Sequence, residues 1–229
     1  MAETKRYIDG INNKYVSTSS TVISETNNNT GNNTGDSQNN GASSTGASGV
    51  SGHYSAGYYS AEEAAAAFGA EVYSASNYIR HEYVAEIYSV TYRNPDMIGQ
   101  EYTLYYYTEP RVGEPHKANL NITKETVAFV HTHPTKDSFS GIDKDGKKDG
   151  EGDLGVSDRR GIDAYMIGPT QNLWYYESGG EIPTDPIGKI TPTPLSDDEK
   201  KRLVAEYQDS WNDHILKHPN CQDRIWPNP

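Results

Sequence analysis

From residue 26 to residue 61 the chain carries a single charged side chain, Asp36, set among Asn, Ser, Thr, Gly and Ala. Such a run buries too little apolar surface to offset its ordering entropy, so it reads as a flexible linker. The piece ahead of it, RYIDGINNKYVSTSSTVIS, reads as a short strand or the tail of something upstream and is too small to fold alone. Any core must therefore come from the residues C-terminal to the linker. We place a low-complexity, largely disordered linker at 1–58 and a folded domain at 59–180. A Pro-rich connector and an amphipathic helix packing on that domain fill 181–229. A hydrophobic share of 34% over 229 residues lies below the globular average and fits a chain that is only partly packed.

The charge balance excludes some partners. A net charge of −12 argues against nucleic acid or an anionic membrane, both of which need clustered Lys and Arg. No apolar run approaches the ~18 residues of a membrane span. The N-terminus lacks the apolar region of a signal peptide. With one cysteine, Cys221, no intrachain disulfide can form.

Periodicity supplies the elements. Ser60 with Glu63 fits a capping box ahead of an alanine run, which predicts a helix over 61–74. HEYVAEIYSVTYR alternates like a strand, and EYTLYYYTEP reads as its hairpin partner. TVAFVHTH is a third, buried strand. Residues 136–152 are rich in Gly and Asp and read as loop. DLGVSDRR reads as a short helix with Asp153 at its N-terminus, where the dipole suits a carboxylate. DAYMIGPTQNLWYYES reads as two strands joined through GPTQN. In the last helix Ser196 caps with Glu199 behind it, and Leu203, Tyr207, Trp211 and Ile215 recur on one face. That face is expected to pack on the sheet. The fold class is α/β (α+β): a mixed β-sheet flanked by helices.

The chemistry centres on VAFVHTHPTKDSFSGID. Residues two apart on a strand point the same way, so His131 and His133 can converge on one ion, ~2.0–2.1 Å away for zinc. Pro134 ends the strand, since it cannot donate to the ladder. Catalytic zinc keeps three protein ligands and one open position. Asp143 and Asp153 are both candidates for the third. A general base is needed beside the activated water. Glu82 and Glu86 share one face of the first strand; Glu86 is expected to be solvated there, and Glu82 is the candidate base.

HTHP, with Ser-x-x-Asp downstream and a strand Glu upstream, resembles the JAB/MPN (JAMM) metalloprotease superfamily. The six residues between His133 and Ser140 are one fewer than the family pattern. The order AEEAAAAFG, EYVAEIY, YYYTEP, VHTHP, FSGID and AYMIGP, over roughly residues 60–178, is similar to the JAB-like domain at the C-termini of bacterial Rhs/YD-repeat polymorphic toxins. The resemblance implies zinc held by His131 and His133, Glu82 as the base and Ser140 as a holder of the substrate oxyanion. It implies a peptidase or isopeptidase acting on a protein substrate, such as one with a ubiquitin-like tail. It implies a cognate immunity protein and delivery as the C-terminal part of a larger secreted bacterial protein. A metal-free scaffold or protein-binding module is the alternative within the superfamily. The third ligand departs from the pattern. Counting forward from the histidines selects Asp143; counting back from Tyr165, and asking for an Asp at a helix start, selects Asp153. KDGKKDGEGD reads as an insertion between them, and we favour Asp153. With Asp153 as ligand, Gly150 falls where the family serine would stand, which puts the oxyanion role of Ser140 in doubt.

Two further signals have plain readings. DKDGKKDGEGD resembles a calcium loop, but Lys147, Lys148 and Leu154 stand at EF-hand positions 5, 6 and 12, so it reads as a solvated insertion with at most weak Ca2+ binding by Asp143, Asp145 and Asp149. The tyrosines of YTLYYYTEP suit a half-buried sheet.

Overall fold

The computed structural model describes residues 53–93, 101–113 and 118–217. The chain up to residue 52, the PDMIGQ turn, Cys221 and the side chains of Trp211 and Ile215 lie outside the described residues. The fold is α+β. Its elements are α1 (Ala61–Ile79), β1 (Tyr83–Arg93), β2 (Glu101–Tyr107), β3 (Arg111–Val112), β4 (Thr126–Thr132), α2 (Gly152–Arg160), β5 (Asp163–Ile167), β6 (Asn172–Tyr176), β7 (Gly188–Lys189) and α3 (Asp197–Lys217). The sheet runs β2-β1-β4-β5-β6-β7, with β3 paired to the start of β1. The β4–β5 pair is parallel and the other pairs are antiparallel. The link from β4 to β5 carries the loop and α2, which is what a parallel pair requires.

Helix α1 starts where the capping pattern places it. Ser60 Oγ accepts from the N–H of Glu63 at 3.1 Å, and the Glu63 carboxylate takes the N–H of Tyr59 at 3.0 Å. The helix runs past Ser74 to Ile79 because Ser76 and Ile79 continue its buried face. It ends on Arg80 in the left-handed region (φ 57°). The Arg80 guanidinium then donates to Asn77 Oδ1 at 2.9 Å and to the carbonyl of Pro134 at 3.0 Å, tying the helix end to the turn after the histidines. The folded part also reaches back before the expected boundary at residue 59. Ser55 is buried, and Tyr58 makes a two-bond bridge with Tyr105 of β2.

The strand alternation sorts two cores onto the two faces of the sheet. Phe68, Val72, Ile79, Ala85, Ile87, Val130 and Ile167 pack between the sheet and α1. Phe129, Phe139, Leu154, Ala164, Met166 and Tyr176 pack on the opposite face, under α2 and its preceding loop. Leu203 and Tyr207 of α3 join the first core, as the helix stripe predicts. Their neighbour differs from expectation. Helix α3 packs principally against α1, and Tyr207 meets the ring of His81 at 5.4 Å. An amphipathic stripe specifies that a face is buried and is silent on what covers it.

Candidate metal centre

The register of β1 and β4 places the site. Val84 pairs with His131 and Glu86 with Phe129, so the side chains of Glu82, Val84, Phe129, His131 and His133 share the face opposite α1. Thr132, between the histidines, points the other way. Its Oγ1 accepts from the N–H of Tyr83 at 2.9 Å and bonds Ser76 Oγ at 2.6 Å. The strand end is thus pinned from behind while the imidazoles face the cleft. The N–H of His133 continues the ladder to the carbonyl of Ile167 at 2.8 Å, and Pro134 comes next.

Three donors converge. His131 Nε2 lies 3.1 Å from His133 Nε2 and 3.3 Å from Asp153 Oδ1, and His133 Nε2 lies 3.4 Å from Asp153 Oδ2. Bonds of ~2.0–2.1 Å at a tetrahedral centre separate ligand atoms by about 3.3 Å, so the donor set fits a zinc-sized ion. The carbonyl of Ser138 lies 2.9 Å from His133 Nδ1. A carbonyl only accepts, so Nδ1 carries the proton and Nε2 presents its lone pair to the centre. His131 Nδ1 is buried and has no hydrogen-bond partner among the described residues. His131, His133 and Asp153 form a buried group that could hold a metal ion.

Asp153 occupies this position because it opens α2, which lies against the histidine face. Burial alone would raise its pKa; the rings of His131 and His133 outweigh that and hold the carboxyl well below the usual range. Asp143, the other candidate for the third ligand, is not part of the cluster. Its Oδ1 accepts the N–H groups of Asp145 and Lys147, both at 2.9 Å, within an exposed turn.

Glu82 and Ser140 complete the group. Glu82 Oε1 stands 3.7 Å from His133 Nε2, with the residue only 8% exposed. Burial pushes its carboxyl up from 4.5 to about 7, with the Asp153 charge adding to the rise and His133 opposing it. Ser140 lines the same cleft and is bonded directly to Asp153. The insertion after it closes on itself. Asp149 N–H bonds the carbonyl of Gly141 at 3.1 Å, and Leu154 N–H bonds that of Ser140 at 3.3 Å. Ser140 therefore sits beside Asp153 despite the intervening loop, although Gly150 is the residue three positions before Asp153.

Glu86 differs from expectation. It is 2% exposed rather than solvated. Its carboxylate receives Arg111 Nη2 at 2.5 Å, Arg111 Nη1 at 2.9 Å, the Asn121 N–H at 2.5 Å and Thr108 Oγ1 at 3.0 Å. Burial alone would raise its pKa, and these donors outweigh that and lower it. The signal available in the sequence was parity: Glu86 shares the face of Glu82, where a carboxylate needs a partner if the face is covered. Arg80 was also missed, since nothing in its spacing marks a helix-ending residue that also holds the turn after His133.

Comparison with known protein families, curated proteins and solved structures returns no match.

Proposed function

We propose that this domain is a metal-dependent amide hydrolase of the JAB/MPN kind, a zinc peptidase or isopeptidase. The observation that carries the reading is the placement of Glu82. A carboxyl group only 8% exposed stands 3.7 Å from His133 Nε2, one of three converging donors. A general base must stand within reach of the proton it takes, and that placement meets the requirement.

His131, His133 and Asp153 would hold the ion. When bound, zinc acts as a Lewis acid that lowers the pKa of water and polarises a carbonyl. Glu82 takes the proton of the attacking water at its carboxylate and later delivers it to the leaving amine. The Ser140 hydroxyl accepts from the Asp153 N–H, which leaves its own proton to donate to the substrate oxygen. Phe129 stacks on His131, with centroids 5.6 Å apart, and helps to orient that ring. The resemblance to Rhs-type toxin domains points to a protein target, such as one with a ubiquitin-like tail, and to a cognate immunity protein.

The test is metal content and peptide cleavage on the same preparations. Near one zinc per chain, with cleavage lost on chelation and restored by zinc, is the expected result. A parent protein that takes up no zinc would overturn the reading and leave a metal-free scaffold.

A further inference from the structure

The cleft has a volume of about 460 Å³, and four of its side chains, Val84, Leu120, Phe129 and Val156, are apolar, alongside the charged Lys136, Glu151 and Arg159 and the three donors. Val84 and Phe129 are buried, whereas Leu120 and Val156 are half-buried and form its outer walls. A metal site for a small polar substrate has no need of four apolar side chains at its edge. Pockets that select a residue are mostly apolar, with a few placed polar groups.

Leu120 is held by its neighbours on both sides. The carbonyl of Asn119 accepts from Arg111 Nη2 at 3.2 Å, and the N–H of Asn121 donates to Glu86 Oε1 at 2.5 Å. Arg111 and Glu86 are themselves paired, with Glu86 deeply buried. The two peptide units flanking Leu120 are therefore clasped to the two halves of one ion pair. Withdrawing Leu120 would break the bond from the Asn121 N–H to the buried Glu86 carboxylate, so the backbone that carries Leu120 is held in place.

Resting on the hydrolase reading above, we infer that the cleft is a side-chain subsite that takes an aliphatic residue of valine or leucine size flanking the scissile amide. Leu120 sets the size limit. A methylene gained or lost in such a pocket changes specificity by roughly 10–200-fold.

The test uses zinc-loaded protein and quenched peptides that differ only in one residue flanking the scissile bond: Gly, Ala, Val, Leu, Phe or Asp. At one of the two flanking positions, Val or Leu is expected to exceed Gly and Asp in kcat/KM by at least about tenfold. Leu120→Ala moves the optimum towards Phe, and Leu120→Phe moves it towards Ala, each by about tenfold. The opposite directions of the two variants separate a size filter from a general loss of structure. Chelator-sensitive cleavage with equal rates for Gly and Leu, or with an optimum that neither variant moves, overturns the subsite and leaves the hydrolase standing. Absence of cleavage of every peptide by the zinc-loaded parent overturns both.

Discussion

Ser140 and Asp153, 13 positions apart in sequence, exchange two hydrogen bonds: the Ser140 N–H donates to Asp153 Oδ2 at 2.7 Å, and the Asp153 N–H donates to Ser140 Oγ at 2.9 Å. A carboxylate that receives a fixed N–H on one oxygen is held in one orientation towards the histidines.

That exchange depends on Gly152. Its φ is +56°, and a Cβ there would collide with Ser140 Oγ. Gly152→Ala is expected to lower zinc affinity about 10–100-fold, measured by competition with a chromophoric chelator. Gly146, also at positive φ but with nothing within 4 Å of a Cβ, is the control, and its alanine variant should bind zinc as the parent does.

The two aspartates considered as third ligand should part cleanly. Asp153→Ala is expected to abolish stoichiometric zinc in elemental analysis. Asp143→Ala is expected to keep it, because Asp143 only organises an exposed turn. Equal zinc in both variants would contradict the assignment of Asp153.

Glu82→Gln keeps the size of the side chain and removes the proposed base. Turnover is expected to fall by about 10²–10⁴-fold while zinc content stays at the parent level. Undiminished turnover would remove Glu82 from the chemistry.

Acid and base should act oppositely on the metal-free protein. The folded-state pKa of Glu82, about 7, lies above its ordinary 4.5. The stability linked to that proton is fully present below pH ~4.5 and is lost as the pH rises through about 7, a loss of about 3 kcal/mol. Asp153, held below its ordinary value, contributes stability above that value and loses it as the pH falls. Urea midpoints of chelated protein should therefore drop between about pH 5 and about pH 8. In Glu82→Gln this drop should be much smaller, and an unchanged drop would assign it to other groups.

Two ion pairs of like composition should differ sharply in worth. Glu86→Ala strips the partner from Arg111 and from the Asn121 N–H, and is expected to cost about 3–5 kcal/mol. Arg93→Ala breaks an exposed pair with Glu101 and should change stability by less than about 1 kcal/mol. Denaturant unfolding of both variants checks the contrast.

The histidine pair was legible because strand parity is a local property: two positions apart means one face. The helix starts at Ser60 and Ser196 were legible for the same reason, since a cap involves residues three apart. Strand parity put Glu82 on the histidine face, but its depth depends on α2 and the strand β4, which meet it only in three dimensions. Glu86 was misread because Arg111 and Asn121 lie 25 and 35 positions away, and no periodicity reports such a partner. The third ligand stayed open for a related reason. The distance along the chain between Ser140 and Asp153 says nothing about a loop that returns to its starting point.

That returning loop makes the chain modular at this place. Closing the ends of a longer flexible segment adds only about 0.6 kcal/mol for each doubling of its length. Gly141 and Gly152 already lie side by side, so sequence can be added or removed around Gly146 while Asp153 keeps its station. The two ends of the loop, Ser140 and Glu151, line the cleft, so a peptide grafted between them is tethered beside the donor cluster.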